Sequence, residues 1–146
     1  MDLIYIGAWL AIWLSGLGVA LGQWMLAKTS IEILGKNPKL ASQLRIFTIL
    51  WIALVESAAI YWFVVAYQIL TVEDIASYTA IWAGLAIWIP AFWAWYWEWK
   101  LVSGAMIALN RNPENKNTVL QFMILFLALI EVVAIYGLII AQKLIK

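Results

Sequence analysis

Four long apolar stretches separated by short polar connectors dominate the chain. They cover residues 3–34, 40–70, 77–109 and 119–144. Each exceeds the ~20 residues that an α-helix needs to cross a bilayer. The connectors at residues 36–39, 72–74 and 111–114 are short, so consecutive helices should be antiparallel neighbours. The pattern therefore predicts an all-α integral membrane protein with four membrane-spanning helices.

The second half of the chain repeats the first. The motif Asn37-Pro38 occurs again as Asn112-Pro113. The same difference in residue number, here called the repeat shift, superimposes Leu10-Ala11-Ile12-Trp13 on Leu85-Ala86-Ile87-Trp88. Such internal similarity indicates that a helical hairpin was duplicated. We therefore expect two tandem hairpins of the same topology, at residues 1–73 and 74–146, which argues against the inverted-repeat transporters.

Composition narrows the functional classes. Of the 146 residues, 66% are hydrophobic and 12% are charged, and a soluble fold of this size could not hide so much apolar surface. The sequence has no histidine and no cysteine, which removes the usual general base, the thiol nucleophile and the commonest transition-metal ligands. A net charge of +1 gives no basic field for nucleic acid. We expect a membrane protein that is not an enzyme and has no cofactor.

Basic residues predict the orientation in the membrane. They flank the two Asn-Pro connectors, whereas acidic residues share the opposite side with the two C-terminal lysines. The positive-inside rule then places the Asn-Pro connectors in the cytoplasm and both termini outside. The first apolar stretch is too long for a cleavable signal and lacks a basic leader, so we interpret it as the first span. The basic residues near the connectors are Lys28, Lys36, Lys39, Arg45, Lys100, Arg111 and Lys116.

Two acidic residues, Glu56 and Glu131, occupy equivalent repeat positions near the middle of apolar stretches. A carboxylate in hydrocarbon costs about 2.5–3.5 kcal/mol even on the lenient insertion scale, so it indicates a functional site. In an antiparallel hairpin, Gln23 should lie at the height of Glu56 and Glu98 at the height of Glu131. Each pair would then be roughly 20–27 Å from its Asn-Pro turn, well inside the membrane.

The residues near these carboxylates have the chemistry of a site for a proton or a hard cation. Ser57 follows Glu56, and Tyr61 lies one turn beyond it, with Tyr136 as the counterpart of Tyr61. Amide and hydroxyl oxygens can replace water around Na⁺ or bond a protonated carboxyl, and a tyrosine hydroxyl can orient a carboxylate. The alternative is that Gln23, Ser57 and the tyrosines only join helices by hydrogen bonds.

These residues together resemble the c subunit, or proteolipid, of rotary ATPases in its duplicated four-helix form. The resemblance rests on the glycine-rich segment from Gly16 to Gln23, the two basic Asn-Pro turns and the carboxylates with Ala-Ile-Tyr behind them. It implies a homo-oligomeric ring that turns against the a subunit of the stator while the glutamates carry H⁺ or Na⁺. It also implies that the polar turns contact the central stalk. The implied stalk contacts are Lys36, Asn37, Pro38, Arg111, Asn112 and Pro113.

The two repeats differ at the predicted site. Ser57 is matched by Val132, and Gln23 by Glu98. Carried over from the family, this gives two unlike sites. One combines Gln23 and Glu56 with the Leu129–Val132 edge of a second hairpin, and the other combines Glu98 and Glu131 with the Leu54–Ser57 edge of a first hairpin. Two carboxylates at one height should not both ionise without a cation between them, so we expect a shared proton there. The ion stays open between H⁺ and Na⁺, with possible Na⁺ ligands at Glu56, Gln23, Ser57, Glu98 and Glu131.

Tryptophan marks a second departure from the family pattern. The chain has eleven tryptophans, and the repeat shift places Trp93, Trp95 and Trp97 on Gly18, Ala20 and Gly22. Small residues let helices approach closely. Our hypothesis is that the first and third helices alternate around an inner circle, with tryptophan filling the space that glycine leaves. The alternative is that the tryptophans face lipid or mark the interfacial belts, as we expect of Trp82 and Trp99 near the helix ends.

Three functions remain in competition. A rotor-ring subunit is favoured, because a simple pore has no need of two matched basic turns. The first alternative is a small four-span ion channel or carrier with pore-lining glutamates. The second is a purely structural assembly factor of the membrane.

Overall fold

Within residues 3–146, five α-helices and three short irregular helical segments form the four spans. The computed structural model describes residues 3–146, except for the side chains of Ser57 and Ala58. The described spans are Leu3–Lys36, Pro38–Thr71, Ser77–Arg111 and Pro113–Ile145. The α-helices are α1 (Leu3–Trp9), α2 (Ser15–Lys36), α3 (Ala41–Thr71), α4 (Ser77–Arg111) and α5 (Lys116–Ile145). The prediction of four spans is confirmed.

The second and third spans form the centre of the four-span bundle. The third span contacts all the others, and so does the second. The first and fourth spans each pack mainly on these two. As a result, the first and fourth spans lie at opposite edges of the bundle, each with one side that no other span of the chain covers.

The two Asn-Pro turns have the same backbone conformation. Asn37 has φ −142° and ψ 79°, and Asn112 has φ −142° and ψ 84°. Each asparagine precedes a proline that opens a short 3₁₀ turn, as expected for proline at a first-turn position. The Asn37 side-chain amide donates to Oδ1 of Asn110 at 3.4 Å, so both turns lie together at one end of the bundle.

The connector between the hairpins, residues 72–76, uses a left-handed residue. Asp74 has φ 57°, a conformation that aspartate tolerates better than most residues because its short side chain can bond locally. This turn reverses the chain at the opposite end from the Asn-Pro turns. The two hairpins therefore follow each other with the same up-and-down direction.

Both the first and the third span have irregular helix hydrogen bonding at the same repeat position. In the first span, a π-helical turn at Leu10–Leu14 separates α1 from α2, and the Ser15 hydroxyl donates to the Ala11 carbonyl at 2.7 Å. In the third span, Pro90 lies inside α4 and has no N–H for the Ala86 carbonyl. The repeat shift places Pro90 on Ser15, so the duplicated spans share this feature through different chemistry.

Glycine allows the first span to pack closely on the third. The indole ring of Trp95 lies where a side chain on Gly18 would be, and Gly7 lies directly against the backbone of Ala80. Gly22 faces Trp51, whose ring would lie 3.2 Å from an added Cβ. Trp95 therefore fills the space left by Gly18, as our tryptophan hypothesis requires for one of the two interfaces.

Candidate ion site in the spans

The first carboxylate forms a hydrogen bond with an amide of the neighbouring span. The Gln23 amide, on α2, donates to Oε1 of Glu56, on α3, at 3.2 Å. The pairing in height expected from the hairpin is thus confirmed. Glu56 is exposed in the single chain, and Gln23 is half-buried.

The second carboxylate lies against another acid. Glu98 on α4 is fully buried, and Glu131 on α5 is 9% exposed. The two carboxyl groups are close enough for a protonated one to hydrogen-bond the other. Within residues 3–146, three of their four oxygens, both of Glu98 and Oε1 of Glu131, have no hydrogen-bond donor in buried surroundings. Because buried acceptors without donors are costly, a proton or a cation between these oxygens would stabilise the pair.

Burial separates the two sites more sharply than the sequence indicated. Glu131 is buried in the bundle, whereas Glu56 is exposed. The sequence predicted different chemistry, amide against acid, but not this difference in exposure. The missing signal was the packing of one hairpin on the other, which a repeat alignment treats as symmetric.

The remaining predicted ligands are placed less closely. The side chain of Ser57 lies outside the described residues. Tyr61 is half-buried and packs against the apolar core, while Tyr136 is 61% exposed. Neither tyrosine hydroxyl bonds a carboxylate among the described side chains, so the expectation that a tyrosine orients the carboxylate is not met in the single chain. Residues 3–146 contain no cluster of three or more acidic side chains that could hold a metal.

The predicted stalk contacts lie at one end of the bundle. Lys36, Pro38, Arg111, Asn112 and Pro113 are exposed, and Asn37 is half-buried through its bond to the third span. In both turns, the asparagine N–H bonds a carbonyl in the last turn of the preceding helix, at 2.8 Å for Asn37 and 3.0 Å for Asn112. This end of the molecule therefore presents two matched polar turns side by side.

Comparison with known families accounts for the duplicated hairpin. The profile of the ATP synthase c-subunit family matches residues 6–69 and again residues 81–142. The chain belongs to this family. The family consists of membrane helical hairpins that form rings, and this chain carries two of them in tandem. The resemblance drawn from the sequence is confirmed, and so is the expectation of a non-catalytic membrane subunit.

Three relatives illustrate the similarity. The ATP synthase c subunit of Chloroflexus aurantiacus is 49% identical over 41 residues, which is 28% of this chain and 54% of the relative. The ATP synthase c subunit of Carboxydothermus hydrogenoformans is 36% identical over 76 residues, 52% of this chain and 93% of the relative. That of Malacoplasma penetrans is 40% identical over 62 residues, 42% of this chain and 78% of the relative. The chain thus spans about half the length of the first relative and nearly all of the second.

Proposed function

We propose that the chain is the ion-carrying rotor subunit of a rotary ATP synthase or ATPase. In this function, copies form a ring, and Glu56 and Glu131 carry ions across the membrane as the ring turns against a stator. Rotation then couples ion flow to ATP synthesis or hydrolysis on other subunits. The observation that supports this most directly is the pairing of each mid-span glutamate with a polar side chain from the adjacent span.

We infer the transported ion at each site from the polar side chain that lies beside the glutamate. At Glu56, the Gln23 side chain is an amide whose N–H bonds the carboxylate and whose oxygen remains a ligand for Na⁺. At Glu131, the second acid is Glu98, and two adjacent carboxyl groups hold a shared proton more readily than two charges. We propose H⁺ at the Glu98–Glu131 site, and H⁺ or Na⁺ at the Gln23–Glu56 site.

The orientation and partners complete the proposal. The Asn-Pro turns face the cytoplasm of a prokaryotic plasma membrane, in line with the basic residues around them. Their exposed residues, among them Lys36, Pro38, Arg111 and Asn112, contact the central stalk. The a subunit of the stator meets the ring at the level of the glutamates. Lipid covers the rest of the outer surface.

Carbodiimide labelling tests the function, because these reagents modify protonated carboxyl groups. We expect Glu56 and Glu131 to be the labelled residues in purified membranes, and labelling to inhibit ATP hydrolysis by the assembled complex. Na⁺ should protect Glu56 if that site binds Na⁺, and the Gln23→Ala variant should lose this protection. Ion conduction by the isolated chain, without other subunits and unaffected by the label, would instead support a channel.

Accessibility of single cysteines tests the orientation, and the natural chain has no cysteine to confuse the result. The single variants Lys36→Cys and Arg111→Cys should react with a membrane-impermeant reagent only after the cells are opened. Asp74→Cys should react in intact cells. The reverse pattern would place the stalk-binding end outside and contradict the proposed coupling.

A further inference from the structure

The third and fourth spans leave an apolar groove along their outer edge. It is lined by Trp93, Trp97, Phe126, Leu129, Ile130 and Val133. Trp93 and Trp97 are 52% and 53% exposed, and Leu129 is 57% exposed. Aromatic surface of this kind at the edge of a membrane bundle can face lipid or another protein, and the internal repeat decides between them.

The same groove exists in the first hairpin, where it is already filled. The repeat shift places Trp93 on Gly18, Trp97 on Gly22, Phe126 on Trp51 and Ile130 on Val55. All four counterparts in the first hairpin are buried. The second hairpin of the same chain packs on this surface, with Trp95 on Gly18 and Trp99 near Gly22.

The surface that fills the internal groove also has a counterpart. Trp95, Ala80 and Trp99 of the third span face the glycines Gly18, Gly7 and Gly22. On the first span, the repeat shift matches them with Ala20, Tyr5 and Trp24. Ala20 is exposed, and Tyr5 and Trp24 are 59% and 62% exposed. Apart from the half-buried Trp99 and Ile130, the named residues of the groove and of the filling surface are therefore buried where the chain supplies both surfaces, and exposed where it supplies only one.

We infer that the open groove receives the first-span edge of a second copy. In this contact the large residue lies in the groove and the small residue on the first-span edge, which is the reverse of the contact inside the chain. Inside the chain, Gly18 accepts Trp95. Between copies, the corresponding contact brings Trp93 onto Ala20 of the next copy. Likewise, the contact of Gly7 with Ala80 becomes that of Trp82 with Tyr5. This inference rests on the proposed ring of copies and specifies which surfaces close it.

The contact is head-to-tail, because the groove is on one edge of the chain and the filling surface on the other. Contacts of this kind continue from copy to copy until a ring closes. Two kinds of interface, here called seams, therefore alternate around the ring. The groove side carries Gly18 in one seam and Trp93 in the other. A size difference at the seam also predicts that neither hairpin can replace the other within the ring.

The same contact completes the exposed ion site. Glu131 is buried on the filling surface of the second hairpin, and Glu56 is its counterpart on the open edge of the first. In the ring, the groove of the preceding copy covers the exposed Glu56. The Glu98–Glu131 site is thus built within one chain, and the Gln23–Glu56 site is shared between two.

Cysteine cross-linking tests the contact directly. The double variant Tyr5→Cys with Trp82→Cys should give, on oxidation in membranes, a ladder of dimers, trimers and larger species on denaturing gels. Each single variant should stay monomeric, since its cysteine meets no second cysteine. A ladder that stops at the dimer, or no cross-link from the double variant in an intact oligomer, would overturn the inference.

A second test, which does not depend on cross-linking, exchanges the large and small residues of the contact between Trp93 and Ala20. Ala20→Trp should abolish the native oligomer, because its indole meets Trp93, and adding Trp93→Gly should restore it by recreating the internal arrangement. Ala53→Trp is the matched control, since Ala53 and its counterpart Ala128 are both exposed, and it should assemble normally. Assembly of Ala20→Trp alone, or no rescue by the double variant, would contradict the contact.

The two proposals fail in different ways. If the wild-type chain forms an oligomer and its glutamates react with carbodiimide, but the Tyr5→Cys and Trp82→Cys pair does not cross-link, the rotor function stands and the seam is wrong. If the ladder forms but labelling leaves ATP hydrolysis unchanged, the seam stands and the ion-carrying function is wrong. Native mass spectrometry of the same preparations gives the oligomer size in both cases.

Discussion

At the scale of single residues, a glycine opposite a tryptophan decides how closely the first and third spans approach. Trp95 occupies the volume that any side chain at Gly18 would need, and its ring also meets Trp62 edge-on with centroids 6.1 Å apart. The neighbours therefore hold the indole in place, so it cannot move aside. Packing interiors as dense as this tolerate little added volume.

Gly18→Leu should prevent the hairpins from packing and lower the stability of the single chain by about 3 kcal/mol or more, at the upper end of overpacking costs. The measurement is thermal unfolding in detergent, followed by tryptophan fluorescence. Gly35→Leu is the matched control, because no atom lies within 4 Å of a Cβ added at Gly35, and its melting temperature should stay near that of the wild type. Equal melting temperatures for both variants would show that Trp95 does not rest on Gly18.

Glu98→Gln should convert the acid pair into a copy of the Gln23–Glu56 pair. Without the second acid there is no shared proton, so Glu131 should acquire the pH and Na⁺ dependence of carbodiimide labelling shown by Glu56. The check is site-resolved labelling measured by mass spectrometry of peptides. Labelling of Glu131 that is identical in wild type and variant would mean that Glu98 does not share its proton.

At the scale of helices, the duplicated first and third spans interrupt regular hydrogen bonding at the same level by different means. Ser15 does so beside a π-helical turn, and Pro90 by lacking an N–H. The fourth span packs closely on the third at Pro90, where its own residue is Gly137. A Cβ added at Gly137 would lie 2.8 Å from both the Ala86 carbonyl oxygen and the Pro90 ring. Irregular turns of this kind bend helices.

Gly137→Leu should separate the third and fourth spans and cost about 1–3 kcal/mol, because the added side chain overlaps the Pro90 ring and the Ala86 carbonyl. Thermal unfolding in detergent measures the loss. Pro90→Ala in the same background should recover part of it, since removing the ring opens space and restores a helix N–H. No recovery in the double variant would show that the clash is not with Pro90.

Much of this architecture was predictable, and what was not depended on packing. Hydrophobic length and the repeat predicted the spans, and the hairpin geometry placed Gln23 beside Glu56. The π-helical turn before Ser15 has no sequence signal, because it differs from an α-helix by a single hydrogen-bond register. The burial of Glu131 and exposure of Glu56 were also missed, since a repeat gives each residue an equivalent position but not an equivalent neighbour.

At the scale of the whole molecule, duplication gives each chain two glutamates at equivalent repeat positions, Glu56 and Glu131, in two different environments. Complete labelling of the native oligomer should proceed in two phases of equal amplitude, one for Glu56 and one for Glu131. Glu56→Gln and Glu131→Gln should each remove one phase and leave the other unchanged, as read by intact-mass spectrometry. A single phase in the wild type would mean that assembly makes the two sites equivalent.

In the rotor that we propose, the acid pair of one hairpin and the amide–acid pair of the other also set the rhythm of rotation. The proposed stator meets Glu56 and Glu131 in strict alternation, and each glutamate releases its ion from different surroundings. Pauses of a single rotating motor should therefore alternate between two durations, with a period of one chain instead of one hairpin. The elementary mechanical step of this rotor is then a pair of unequal half-steps.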